Sequence, residues 1–136
     1  MATTTVLSNP TVLINAVDYT DQCTSATLTE RYESLESTAF GGTARVYTSG
    51  LGNHEFTCTL MLAYGSSEVE ENLNGIVGTA VNVVVLATTG SIGVGNPQYT
   101  ITGAYLESVT PVNASLGELQ TVDLTFTGGT IARATA

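Results

Sequence analysis

Histidine chemistry is the first possibility to test in this sequence, because an imidazole can serve as a general base. His54 is the single histidine and stands between Asn53 and Glu55, where apolar and polar residues begin to alternate. A Ser–His–Asp site requires the imidazole beside a nucleophile and a carboxylate, and the residues around His54 form no such motif. We therefore predict a polar surface histidine and no enzyme, with a small esterase dependent on His54 as the enzyme alternative.

The two cysteines, Cys23 and Cys58, are not separated as in a zinc knuckle. A single histidine does not readily complete a four-ligand zinc site with them. Alternation turns Cys58 inward and leaves Cys23 on the polar face of its strand. Nothing else in the sequence indicates an oxidising compartment, so we predict two free thiols.

The acidic residues and the glycine-rich segment have simpler explanations than a ligand site. Asp18 and Asp21 are typical of turns, since a calcium loop needs more oxygen ligands in a fixed order. Residues 68–71 place three glutamates in the first turn of a predicted helix, where negative charge is favourable. Residues 90–95 lack the glycine spacing of a dinucleotide-binding loop. We predict no cofactor and no metal.

The charge composition restricts the possible partners. Charged residues make up 11% of the chain, the net charge is −9, and the only cations are Arg31, Arg45 and Arg133. Nucleic-acid binding and attraction to anionic membranes both need clustered Lys and Arg, so neither is expected. No apolar run approaches the ~20 residues of a membrane helix, and residues 1–10 lack the features of a signal peptide. We expect a soluble chain, made in the cytoplasm, without membrane insertion.

β-Strand patterns dominate the sequence. The cleanest alternation lies in residues 55–62, and residues 79–88 are apolar on both faces, as in a central strand. Gly103 marks a shift in the apolar phase and predicts a β-bulge. Strands are predicted at residues 12–16, 24–31, 55–62, 79–88, 98–109 and 121–127.

One short helix is predicted at about residues 67–77, beginning in a capping box of Ser67 and Glu70 and ending at Gly78. Six to eight strands with one helix indicate a mainly β fold, an antiparallel two-sheet sandwich or barrel. The length of the chain fits a single domain spanning residues 1–136.

Two segments lack strand patterning and are expected to contact other subunits. Residues 33–52 form a long arm or extended hairpin, because structureless loops of this length are uncommon without a function. Residues 128–136 form a terminal tail, which would fray unless a neighbour holds it. The predicted inter-subunit residues are Phe40, Arg45, Tyr47, Ile131 and Arg133.

Several stretches, in order along nearly the whole chain, resemble the tail tube (major tail) proteins of long, non-contractile-tailed bacteriophages, especially those of actinobacteria. One departure is Gly52-Asn53, which follows Gly50-Leu51 where many of the family carry lysine. The stretches are NAVDYTD (15–21), ESTAFGG (36–42), the helix and valine strand (67–88), NPQYT (96–100), GEL with its strand (117–126) and RATA (133–136).

The resemblance implies a two-sheet β fold with one flanking helix, in which hexameric rings join their inner strands into a barrel. The rings would stack into a tube around a tape-measure protein, with tail terminator and tail-tip proteins as further partners. DNA would pass through the tube without specific binding, and the protein would reside in the virion after assembly in the host cytoplasm. An acidic chain without lysine suits this role, because its wall would repel phosphate.

Strand alternation nominates a lumen-facing set. One face of residues 55–62 and one face of residues 121–127 are rich in threonine and carry the acidic residues, so we expect one or both to line the tube, with the outer surface as the alternative for either strand. The predicted lumen-facing residues are Glu55, Thr57, Thr59, Thr121, Asp123 and Thr125.

Two other virion or tube functions fit the same composition. A capsid-decorating or head–tail joining protein would form trimers or single rings that do not stack. A subunit of a bacterial secretion-system tube would form the same ring in a different genomic setting.

Overall fold

The computed structural model describes residues 10–88 and 90–136, and this part of the chain is mainly antiparallel β structure. The fold class expected from the sequence is confirmed. The elements are β1 (Thr11–Ile14), β2 (Val17–Asp18), β3 (Cys23–Thr29), β4 (Tyr32–Glu36), β5 (Tyr47–Gly52), β6 (Glu55–Met61), α1 (Val69–Asn74), β7 (Ala80–Leu86), β8 (Gln98–Leu106), β9 (Thr121–Thr127) and β10 (Thr130–Ala134).

Eight of these strands belong to one hydrogen-bonded sheet, with the order β2-β1-β7-β8-β9-β6-β3 and with β10 also paired to β8. Strand β7 covers one edge of β8, while β10 and β9 share its other edge. The sheet therefore has two halves that meet at β8. One half contains β2, β1, β7 and β10, and the other contains β9, β6 and β3. Strands β4 and β5 form a separate hairpin.

The bend between the two halves lies at Gly103. This residue has φ +81°, and the pairing of β7 with β8 shifts register between Val81 and Val83. The predicted bulge is confirmed. Gly128 and Gly129 lie opposite the bend, with φ +77° and +89°. A Cβ on Gly129 would come within 2.6 Å of the Thr102 carbonyl oxygen, so only glycine lets the chain follow β8 round this corner.

The inward faces of the two halves enclose one hydrophobic core. Phe56 on β6 and Phe126 on β9 lie side by side, with ring centroids 6.1 Å apart. The helix contributes Val69 and Leu73, which are buried as the periodicity predicted. A folded sheet thus produces the two-layer packing expected for a sandwich. The fully buried side chains are Val12, Ile14, Phe56, Leu60, Leu73, Val83, Ile101, Leu106, Val122, Leu124 and Phe126.

The capping-box prediction for the helix was wrong. α1 begins at Val69, its N-cap is Glu68, and no side chain caps it. Ser67 has φ +64°, outside the geometry of a capping residue, and its amide instead donates to a carboxylate oxygen of Glu71. The helix is shorter than predicted because Gly75 already forms its C-cap.

The first predicted strand also ends earlier than expected. Asn15 and Ala16 have φ +52° and +64°, and they form the two-residue turn between β1 and β2. Asparagine tolerates this left-handed geometry, which primed hairpin turns require. The turn chemistry assigned to Asp18 is present, since its carboxylate accepts a hydrogen bond from the Thr20 amide at 2.8 Å.

The prediction of a C-terminal tail at residues 128–136 was wrong, because Thr130–Ala134 forms β10 on β8 of the same chain. Ile131 pairs with Ile101 and packs against the core. The Gly128-Gly129 pair was interpreted as the end of the structured chain, whereas it carries the bend. In β10 the β-branched residues Thr130 and Ile131 are followed by Ala132, Arg133 and Ala134, so this short strand shows no alternation of apolar and polar residues.

Candidate assembly surfaces

A polar face extends over three adjacent strands of the second half of the sheet. In the β6–β9 register, Thr57 lies opposite Thr125 and Thr59 lies opposite Asp123. Directly paired residues of antiparallel strands point to the same side, so the six residues expected from alternation share one face. The hydroxyl of Thr59 donates to a carboxylate oxygen of Asp123 at 2.6 Å, which fixes this acid on the surface.

Strand β3 extends the same face, which the sequence analysis did not include. Thr27 lies opposite Thr57, and Thr29 lies opposite Glu55. The alternation of β3 was visible in the sequence, but its place beside β6 depends on pairing that spans the whole hairpin segment. We call this surface the threonine face. Its members are Ser25, Thr27, Thr29, Glu55, Thr57, Thr59, Met61, Thr121, Asp123, Thr125 and Thr127.

The charge of the threonine face is purely negative within the described residues. Glu55 and Asp123 are its two charged members, and none of its eleven residues is Lys or Arg. Hydroxyls occupy eight of the other nine positions and Met61 the ninth, so the surface is wetted and bears no cation that could hold phosphate. Such a face repels polyanions at short range, within a Debye length of roughly 8 Å at physiological salt.

The β4–β5 hairpin, residues 32–52, is an exposed appendage. Every residue of β4 is exposed, and in β5 only Gly50 is partly covered. Phe40 at the tip and Leu51 near the base are 109% and 81% exposed. Arg45 contacts Glu36 at 4.0 Å, and both side chains are largely open to solvent. An isolated subunit therefore leaves a large apolar surface in water, which is typical of an interaction site.

The base of the hairpin is held by His54, which the sequence analysis placed on the surface. That prediction was wrong, because His54 is 3% exposed. Its Nδ1 accepts a hydrogen bond from the Arg31 amide at 3.2 Å, and the ring of Tyr32 packs edge-on against it at 5.1 Å. A buried imidazole with these partners positions the hairpin, and the geometry shows no nucleophile beside it.

The two C-terminal residues expected at an interface have different environments. Ile131 is half-buried against its own subunit's core, which reduces what it can offer a neighbour. Arg133 is exposed and lies opposite Tyr99 in the β10–β8 pairing. Within residues 10–88 and 90–136, the one recorded ion pair is Arg45 with Glu36.

The cysteines are free, in agreement with the sequence analysis. Cys58 is buried in β6, and burial raises the pKa of its thiol to about 12. Cys23 is half-buried, and desolvation raises its pKa as well. Its predicted position on the polar face was wrong, because a bulge between Cys23 and Ser25 turns it toward the core side, opposite Leu60.

Alkylation should distinguish the two thiols. At pH 8 we expect iodoacetamide to modify half-buried Cys23 slowly, and buried Cys58 more slowly still, only as fast as the domain opens, because reaction requires an accessible thiolate. Peptide mass spectrometry over time measures both. Equal alkylation rates under native conditions would contradict the burial of Cys58.

The raised pKa of Cys58 also predicts a loss of stability in alkali. As pH rises from about 9 toward 12, the thiol of Cys58 ionises in the unfolded chain before it does in the folded one. The free energy of unfolding, measured by denaturant titration, should therefore fall in that range.

Ligand chemistry is sparse in the part of the chain that the structure describes. Those residues contain no group of three or more His, Cys, Asp or Glu side chains that could hold a metal ion. Two open grooves lie beside β3, with Leu28 and Tyr99 among the lining of the first and Cys23 and Ala26 among that of the second. No helix in the described residues is long and apolar enough to cross a membrane.

A second exposed apolar surface was not identified from the sequence. The loop of residues 107–120, between β8 and β9, leaves Leu116 and Leu119 106% and 80% exposed, with Val112 also exposed. In the sequence this segment has the composition of an ordinary turn region. No local signal separates a solvated turn from one that presents apolar side chains.

The bent sheet, the flanking helix and the projecting hairpin make up a fold that is shared with chains of solved tube and tail assemblies. No family model and no curated protein matches the sequence, but solved structures match nearly the whole chain. A chain in the sheath/tube terminator of an extracellular contractile injection system aligns with TM-score 0.71 and 13% identity, covering 98% of each chain.

Two further solved structures extend the comparison. A chain of the anti-feeding prophage tube terminating cap aligns with TM-score 0.69 and 13% identity, over 100% of this chain and 95% of that one. A chain in the tail of an empty gene transfer agent particle, computed with C6 symmetry, aligns with TM-score 0.59 and 12% identity over 94% of each. At these identities the likeness establishes a shared fold.

Proposed function

We propose that this chain is a structural subunit of a phage-like tail, which assembles with copies of itself into stacked rings that form a tube. The observation that carries the proposal is the full-length match to chains of tube and tail assemblies, with both aligned chains almost completely covered. The described residues contain no group of side chains that could hold a metal ion, and the proposed function depends on the surfaces of the subunit.

We propose that the threonine face lines the lumen of the tube. It is the broad polar surface of β3, β6 and β9, it bears Glu55 and Asp123, and its opposite side is the hydrophobic core. A wall of this kind stays wet and does not attract phosphate. DNA can then slide past without specific binding.

Open sheet edges support ring closure. Among the described strands, the outer edge of β3 has no partner, and β10 pairs only with β8. Unpaired edges invite addition of a strand from another chain, and a closed ring satisfies every edge. We propose hexameric rings, which is supported by the six-fold symmetry of the matched tail.

The finer assignment extends the proposal to a particular kind of particle. We propose the tail tube of a long, non-contractile-tailed phage, with a tape-measure protein inside during assembly and terminator and tip proteins at the ends. The support is the sequence resemblance along the chain, including residues 36–42 and 96–100. The protein would reach the virion after assembly in the host cytoplasm.

Electron microscopy of the purified protein tests the proposal. We expect negatively stained samples at increasing concentration to show rings and then tubes, with six-fold symmetry in end views. Analytical ultracentrifugation of the same samples shows whether assembly precedes drying on the grid. A chain that stays monomeric at all concentrations, or forms only trimers, would overturn it.

Labelling inside the tube tests the lumen assignment. Asp123→Cys, in a background with Cys23→Ser, should react with a small maleimide in both subunits and tubes. In tubes it should be protected from a bulky polyethylene-glycol maleimide, since the closed wall excludes the polymer. The disassembled variant, in which both reagents should react, is the control. Full reaction of assembled Asp123→Cys with the polymer would place the threonine face outside.

A terminating ring or cap is the second candidate, favoured by the matches to a tube terminator and a tube cap. Such a subunit would form single rings that bind the end of a tube made from another protein. Isolated rings that never stack would favour it. A head–tail joining or capsid-decorating protein would also form unstacked rings or trimers. A secretion-system tube subunit would form the same stacked rings as a phage tail tube, and the neighbouring genes would distinguish those two.

A further inference from the structure

The strands of the threonine face run between two chemically different ends of the subunit. At one end, β3 finishes at Thr29 opposite Glu55, where β6 starts, and the β4–β5 hairpin projects from this point. At the other end, β6 finishes at Met61 opposite Thr121, where β9 starts. The seven-residue strands separate the hairpin end from the opposite end by about 20 Å.

The opposite end is formed by residues 111–120. The hydroxyl of Tyr64, just beyond β6, donates to the Pro111 carbonyl at 2.7 Å and contacts Gln120 Oε1 at 2.8 Å. The side-chain amide of Asn113 donates to the Thr121 carbonyl at 2.9 Å. These bonds hold the loop against the start of β9, so Leu116 and Leu119 are presented outward at this end.

The two ends are complementary in polarity and charge. The tip of the hairpin presents Phe40 and Val46, and Arg45 is the only charged residue between positions 37 and 53. The loop presents Leu116 and Leu119, and Glu118 is the only charged residue between positions 111 and 120. Arg45 lies 4.0 Å from Glu36 of its own hairpin, but its side chain is 76% exposed, so its guanidinium can also face an acid of another copy. In a chain of net charge −9 with three arginines, an exposed arginine on one apolar end and a single glutamate on the other are an uncommon pair.

We propose that the hairpin tip (residues 37–46) of one copy packs on the loop of residues 111–120 of a second copy in the adjacent ring. The two surfaces lie at opposite ends of the same strands, so the contact is heterologous and repeats along one direction, which gives an open stack. Phe40 covers the leucines of the loop, and Arg45 faces Glu118. This inference rests on the proposed tube function and names its ring-to-ring contact.

Photo-cross-linking in tubes tests the contact directly. p-Benzoyl-phenylalanine replaces Phe40, with Thr43 as a second site in case the larger ring weakens assembly. We expect dimers whose cross-linked peptides join the probe to residues 111–120. The probe at Val94, an exposed position between β7 and β8, is the control and should not reach that loop. Cross-links from both tip positions to other surfaces, in tubes of normal appearance, would overturn the contact alone.

Charge exchange adds a second readout. In a Glu36→Gln background, which removes the partner of Arg45 within the subunit, Arg45→Glu and Glu118→Arg each place like charges together. Each should raise the concentration needed for tube formation, by roughly tenfold if the pair is worth about 1.4 kcal/mol. The double variant should return to within about threefold of that background. No recovery in the double variant would count against the pair. Absence of tubes from the unmodified protein would instead overturn the proposed function.

Discussion

Shortening the hairpin is expected to abolish tube formation while leaving the subunit folded. Glu36 lies opposite Tyr47 at the last pair of the β4–β5 ladder, so residues 37–46 can be replaced with an Asn-Gly turn that suits a two-residue connection. The removed segment includes Phe40, which is 109% exposed, and it contributes nothing to the buried core. Its apolar surface is open to a partner, which under the proposed function is another copy.

Sedimentation and electron microscopy would measure the assembled fraction, and thermal unfolding would measure the subunit. The melting temperature should change by less than about 2 °C, while tubes should be undetectable at concentrations where the unmodified chain assembles fully. The control is Val94→Gly, which removes an exposed apolar side chain from a different loop and should leave tube formation unchanged. Normal tubes from the shortened hairpin would refute its role in assembly.

Phe126→Ala is expected to have the largest effect on stability. Phe126 is 1% exposed and packs beside Phe56 at the centre of the second half of the sheet. Deleting a buried ring loses its transfer free energy and leaves a cavity, which together cost about 3–5 kcal/mol. For a domain of this length the melting temperature should fall by roughly 10–17 °C.

Chemical denaturation of the disassembled subunit measures this loss without contributions from neighbours. Phe126→Leu is the graded variant, with an expected loss below about 2 kcal/mol, and it keeps the test informative if the alanine variant does not fold. Phe40→Ala is the matched control, since its ring is in solvent and its removal should leave the unfolding free energy unchanged within about 0.5 kcal/mol. A similar loss from Phe40→Ala and Phe126→Ala would contradict the core described above.

The sequence was most informative where alternation and burial coincide. Residues 121–127 were predicted as a strand with the bounds that β9 has, and residues 55–62 differ from β6 by one residue. In both strands every second side chain enters the core, so apolar and polar residue types alternate along the sequence with a period of two. Gly103 was also identifiable, because the apolar phase changes across it.

Tertiary contacts explain the failures at His54 and β10. His54 is polar, yet it is buried because the amide of Arg31 needs an acceptor at the base of the hairpin. β10 shows no alternation of apolar and polar residues, yet it pairs because Gly128 and Gly129 follow the bend of β8. Ser67 has the right spacing for a cap, but its left-handed backbone prevents that role. The determinants of His54 and β10 are pairings with residues distant in sequence, whereas that of Ser67 is a local contact with Glu71 that the spacing does not reveal.

The separation of the hairpin from the main sheet has a consequence for how this protein can diversify. Because β8 is hydrogen-bonded in both halves of the sheet, neither half can open without disturbing the other, and the domain should unfold as one cooperative unit. Strands β4 and β5 pair only with each other, so they lie outside that unit and can open independently. Under the proposed function, the hairpin residues that contact a partner can vary in type and number, while the residues that maintain the sheet and its core stay constrained.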